Sequence, residues 1–300
     1  MKIAAIFTGH LRFNAVDCIN SAVKFLKQYS NNIDLFINTY DVIGGQVNSK
    51  DYADIENKYI QNYDASINVI KKIEEKFCPV LLKVNNYEDF QKEIVLPKTK
   101  NLINKINQIE GPALKNPGLL SGVISQLIQK KEMFEFIGED NFYDALLLTR
   151  PDVNFTNLKK FELGNSIYHV QNVHLGGKPR NVFINSNQYM NRLSKKFKIG
   201  LKKENLIGEI LFFGLFRNVS TLNTKFYSKI DEAILNIYKE SSEYMTFVHG
   251  KDFENIPNWE MPEYMYSVLS KSQDINFEKV AYFNIFKAEN KRHYEFIEDA

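Results

Sequence analysis

The side chains best placed to do chemistry fall in a few short stretches: Thr8, Gly9 and Arg12 in TGHLR, Asp41 after FINTY, Arg150 to Asn154 in TRPDVNF, and Glu209 in IGEILFFG. Arg150 and Asp152 follow directly on the apolar run ALLL. A charge at the end of a buried strand is costly unless it has a partner or a ligand. Asp152 and Asn154 make an Asp-x-Asn pair, which in an extended segment puts both side chains on one face. Two oxygen ligands on one face can hold Mg²⁺ or Mn²⁺, and the ion can hold a diphosphate. Arg150 can pair with Asp152 or contact phosphate itself. An Asp that caps a turn after Pro151 accounts for the same residues.

In TGHLR the glycine marks a sharp backbone turn that allows close approach of a ligand. Arg12 stands near the start of the next helix, where a guanidinium can grip a diphosphate bidentately and the helix N-terminus attracts the same anion. A plain strand-to-helix turn with a surface arginine explains the segment equally well. It is neither a Walker loop nor a G-x-G-x-x-G fingerprint, which argues against a P-loop NTPase and a dinucleotide enzyme. Glu209 is a candidate base or acceptor-binding carboxylate, or a surface charge at the start of a strand. His249, Glu263 and Trp259 are each explained by an ordinary polar contact, by the dipole of a helix start, and by core packing or sugar stacking.

These residues need elements to position them. Lys2 to Thr8 is an apolar run suited to a buried parallel strand. Val16, Ile19, Val23 and Leu26 then recur at helical spacing, with Asn14 as a candidate N-cap. Ile33 to Thr39 reads as a strand, Ile67 to Phe77 as a helix, and Val80 to Val84 as a strand. Residues 85 to 115 read as an irregular excursion with one short helix. A helix capped by Asn116 starts at Pro117 and stops at Gly138, and Ala145 to Leu148 is a central strand. Further on, Ile167 to Val170, Val182 to Ile184, Ile210 to Phe213 and Phe277 to Phe283 read as strands. Ile230, Ile234 and Ile237, and Pro262 to Leu269, read as helices. The order predicts an α/β fold: a Rossmann-like, mostly parallel sheet flanked by helices, with a mixed C-terminal half. No linker divides the chain, so residues 1–300 are expected to form one domain. Residues 1–155 would be its nucleotide-sugar-binding half and 156–300 its acceptor-binding half. The carboxyl ends of the strands select the loops at Thr8 to Arg12, Tyr40-Asp41 and Thr149 to Asn154 as ligand-binding.

The bulk composition narrows the class. The 300 residues carry 38 basic and 36 acidic side chains, a net charge of +2 with no basic stripe, which argues against nucleic acid as a partner. The short clusters Lys71-Lys72, Lys130-Lys131, Lys195-Lys196 and Lys202-Lys203 read as solvated helix faces. Together they leave room for peripheral contact with an anionic membrane surface. Cys18 and Cys78 read as small buried residues in a reducing compartment. The first residues are too short for a signal peptide and no apolar run reaches membrane-spanning length, so a cytoplasmic protein is expected.

Taken in order, these motifs resemble a family of bacterial polysaccharide and lipopolysaccharide glycosyltransferases, the WavE-like group. Its members start with a strand and a G-x-x-R turn, here Gly9 to Arg12. A strand ending in F-I-x-T-W-D follows, here FINTYD, and then a strand closing on R-T-R-P-D, here LTRPD with Leu148 for the first Arg. An N-D-x-F-x-x-G segment corresponds to IGEILFFG with Glu209 for Asp, and a late P-E to Pro262-Glu263. The resemblance implies a GT-A-like fold and transfer of a sugar from a nucleotide-sugar donor to a growing surface glycan such as capsule or lipopolysaccharide. It implies that Asp152 binds a metal-diphosphate, Arg12 the donor phosphates and Glu209 the acceptor or donor sugar. Joined to the reading of the strand ends, the expected donor site is Thr8, Gly9, Arg12, Asp41, Arg150 and Asp152, with Mn²⁺ or Mg²⁺ on Asp152 and Asn154 and with Glu209 as the catalytic carboxylate. A glycan or lipid-linked glycan would be the acceptor, at the cytoplasmic face of the inner membrane. A sugar nucleotidyltransferase, or a non-catalytic protein that binds nucleotide sugar or carbohydrate, are the alternatives.

Overall fold

The computed structural model describes residues 1–12, 14–43, 63–108, 117–138, 142–155, 160, 162–164, 166–170, 211–228, 231, 235 and 276–279. Glu209, His249, Trp259, Glu263, the cap Asn116, the strand expected at 182–184 and the helices expected at 230–237 and 262–269 lie outside these residues, apart from isolated helical positions at 231 and 235.

Seven strands form one sheet in the order β3-β2-β1-β4-β6-β5-β7. They are β1 (Lys2–Thr8), β2 (Asn32–Tyr40), β3 (Leu81–Asn85), β4 (Ala145–Thr149), β5 (Ser166–Val170), β6 (Leu211–Leu215) and β7 (Asn276–Lys279). β1 pairs in parallel with β2 on one side and with β4 on the other, and β2 pairs in parallel with β3. β6 runs antiparallel between β4 and β5, and β7 is parallel to β5. The chain is therefore α/β with a mostly parallel sheet.

The inner strands are apolar on both faces because helices cover both faces. Ile3, Ala5, Phe7, Leu35, Ile37, Ala145 and Leu147 pack with α1 (Ala15–Leu26) and with Val69 and Ile73 of α2 (Tyr63–Phe77). Ala4, Ile6, Phe36, Leu146, Leu148 and Phe212 face the other way. There they meet Phe90, Val95, Leu102, Ile106, Ile124, Leu127 and Phe216. Those come from the π-helical turn Phe90–Val95, which continues the short α3 (Tyr87–Asp89), and from α4 (Leu96–Ile106), α5 (Pro117–Ile137) and α6 (Phe216–Ser228). Among the described residues no helix is long and apolar enough to cross a membrane.

Several local expectations change. The stretch 87–106 is helical rather than irregular, started by Asn86, whose side chain accepts from the Asp89 N–H. Asn14 precedes α1 but makes no side-chain cap, because its backbone (φ −93°, ψ 11°) is not the extended form a cap requires. Cys78 is exposed, at φ 43° just past α2, while Cys18 is buried as expected. Lys130 is buried, unlike its neighbour Lys131. Gly138 does end α5, at φ 75°, with its N–H on the Phe134 carbonyl.

Candidate functional site

The chain leaves β1 for β2 on one side and returns with β4 on the other, so the strand order reverses between β1 and β4. A crevice opens at such a reversal, outside the carboxyl ends of the strands. Its two walls are the segments after β1 and after β4. The pairing of Phe7 with Thr149 brings them level.

Gly9 makes the first wall. It keeps its N–H on the Asn38 carbonyl at 3.1 Å and accepts from Thr39 Oγ1 at 2.8 Å, which extends the β1–β2 ladder by one residue. Its φ of +119° then swings the chain out, a conformation that a side chain would strain. A Cβ built there would stand 4.0 Å from Pro151 Cδ, so the two walls lie against each other. Leu11 bridges to Ile43, and Arg12 O accepts the Ala15 N–H at 2.9 Å, fixing Arg12 at the foot of α1.

The second wall is anchored on the same helix. Val153 and Phe155 are buried in the core beneath α1. Phe155 N donates to Ser21 Oγ at 2.8 Å. Pro151 and Asp152 form a turn, with Val153 N on the Arg150 carbonyl at 3.3 Å. The extended Asp-x-Asn with both side chains on one face is therefore not what forms, because Pro151 holds φ near the turn value. Asn154 is half-buried and its side chain has no hydrogen-bond partner among the described residues.

Asp152 is buried between the two segments, with only 5% of its side chain exposed. Arg12 Nε donates to its Oδ2 at 3.1 Å. Arg150 donates from Nε to Oδ1 at 2.9 Å and from Nη2 to Oδ2 at 2.6 Å. Among the described residues, Asp152 forms ion pairs with two cations, Arg12 and Arg150. Burial alone would raise the Asp152 carboxyl, but the charges of Arg150 and Arg12, and then their hydrogen bonds, hold it below the usual carboxylate range. The Cys18 thiol beneath is pushed up to about 12, first by burial and then by the Asp152 charge.

Asp41 lies at the same edge of the sheet but is engaged elsewhere. Its Oδ1 accepts from Tyr87 N and its Oδ2 from Asn86 Nδ2, both at 2.9 Å, so it holds the β3–α3 connection. Thr8 is buried at the end of β1, with Oγ1 lacking a hydrogen-bond partner among the described residues. Sequence reasoning missed a group of rings beside it. His10 lies 4.6 Å from Tyr40 and 5.2 Å from Tyr87, centroid to centroid. His10 stands inside TGHLR, so the first strand's end loop was the signal that could have found it.

As placed, Asp152 does not fit a divalent ion. Both of its oxygens already accept from guanidinium groups, and a third cation beside them would meet like charge. At an effective dielectric near 20, unit like charges about 4 Å apart repel by about 4 kcal/mol. No family model matches the chain, and no curated protein matches it.

Proposed function

We propose that the protein is a glycosyltransferase of GT-A-like fold that moves a sugar from a nucleotide-activated donor to a growing surface glycan. What carries this reading is the arginine pair of Arg12 and Arg150, held by Asp152 across the crevice where the strand order reverses. Guanidinium groups match phosphate geometry, and two of them at strand ends suit a nucleoside phosphate. Of the rings packed together past the end of β1, Tyr40 is buried, while His10 and Tyr87 are partly exposed and offer flat apolar surface of the kind a base or sugar stacks on.

In the transfer, the bond between the sugar's anomeric carbon and the phosphate oxygen breaks and the electron pair leaves with the nucleoside phosphate. A bond forms from the acceptor hydroxyl oxygen to the same carbon, and the hydroxyl proton goes to a base. Arg12 and Arg150 stabilise the charge that develops on the leaving phosphate. Glu209 is the carboxylate we assign to the acceptor side, on its sequence position alone. A cytoplasmic location against the inner membrane face would bring a lipid-linked acceptor within reach.

The test is a panel of UDP-, GDP- and CMP-sugars offered to the purified protein with a glycan acceptor, with binding and released nucleotide both measured. One donor should bind and release its nucleotide faster with acceptor present. If no nucleotide sugar binds and Asp152→Ala leaves surface glycan in cells intact, the reading is lost.

A further inference from the structure

We propose that the crevice binds the phosphates of its donor with the guanidinium groups of Arg12 and Arg150 and without a divalent ion, and that Asp152 is a positioning residue for those arginines. This rests on the reading that the donor is a nucleotide-activated sugar.

The observation is the occupancy of Asp152. A carboxylate that is to hold a metal must turn a lone pair toward it. Here three guanidinium N–H bonds, at 3.1, 2.9 and 2.6 Å, fall on its two oxygens and take three of a carboxylate's about four lone-pair sites. Asn154, the other expected ligand, sits beyond a turn rather than on a shared strand face. Positive charge for a phosphate is already built into the site, from opposite walls. Arg12 directs one of its five N–H groups to Asp152, and its side chain is 32% exposed. Arg150 is 19% exposed and bidentate on Asp152, which locks its fork in place.

The experiment is calorimetric titration of the whole protein with pyrophosphate, with UDP, GDP and CMP, and with their sugar conjugates, first in EDTA and then, for the nucleotides and nucleotide sugars, in Mn²⁺. Pyrophosphate and one nucleotide should bind in EDTA, and Mn²⁺ should change the nucleotide affinity by no more than about twofold. Arg12→Gln and Arg150→Gln should each weaken binding in EDTA by about tenfold or more. Asp152→Ala should weaken it similarly and Asp152→Glu should recover most of the loss, with folding of each variant checked by circular dichroism. Nucleotide binding seen only with Mn²⁺ overturns the proposal and leaves the glycosyltransferase reading standing. Pyrophosphate binding in EDTA with no nucleotide or nucleotide sugar bound sinks the reading and keeps the arginine site. No binding of any probe in either buffer removes both. An Asp152→Ala variant that binds pyrophosphate as well as the parent ends the positioning role.

Discussion

Asp152 and its two arginines join residues 140 positions apart, and their cost and benefit are both electrostatic. A buried carboxylate is stable only while its partners remain, and removing one side of such a pair costs about 3–5 kcal/mol. Asp152→Asn keeps the shape and removes the charge, so it should lower the free energy of unfolding at neutral pH by a sizeable part of that. The pH dependence follows from the lowered carboxyl. Its contribution is complete above the unfolded-state value and is lost as pH falls through the lower folded-state value. The gap between parent and Asp152→Asn should therefore be flat from neutral down to the ordinary carboxylate range and close only below it. Urea denaturation across that range measures the gap. A gap that closes already near neutral pH would mean that the carboxyl is not held down by the arginines.

At the scale of elements, the backbone of the site hangs on Gly9. Its φ of +119° is strained for any residue with a Cβ, although the nearest atom such a Cβ would meet is 4.0 Å away. Gly9→Ala should therefore cost about 1–3 kcal/mol through the backbone rather than through a clash. It should also weaken pyrophosphate binding, since the turn aims Arg12. Thermal unfolding and titration of the same variant check both. The glycine was legible in TGHLR, as were β1, β2 and β4, because strands covered on both faces read as unbroken apolar runs; β3, a partly exposed edge strand, was legible from its short apolar stretch. The direction of β6 was not legible: an apolar run looks the same parallel or antiparallel. The run 87–106 was hidden because its π-helical turn, Phe90–Val95, breaks the 3.6-residue period between Asn86 and the apolar Leu102 and Ile106. Helix α6 has no acidic residue in its first turn and carries no start signal in FRNVSTLN. The Arg12–Asp152 pair was invisible for a different reason. Local spacing offers Asp152 either a metal or Arg150, and only the pairing of β1 with β4 brings Arg12 to it.

At the scale of the whole molecule, scaffold and site are separable, although one strand serves both. β4 is flanked by β1 and β6, and its side chains alternate between the two apolar layers, Ala145 and Leu147 into one, Leu146 and Leu148 into the other. Its last residue leads directly to Arg150. Leu147 is fully buried beneath α1, on the layer that also holds Val153 and Phe155. Leu147→Ala leaves a cavity in close-packed surroundings and should cost about 2–5 kcal/mol. Phe142, 81% exposed, should cost less than about 0.5 kcal/mol as Phe142→Ala. Because the walls of the crevice are tied to each other and to α1 by Ser21, the folded Leu147→Ala protein should still bind pyrophosphate as the parent does. Arg150→Gln should do the reverse at the site, losing the anion whatever it does to stability. Unfolding by urea and titration on the same preparations separate the two. A core variant that lost the anion while still folded would show that the crevice is shaped by the packing of the whole sheet rather than by its own hydrogen bonds.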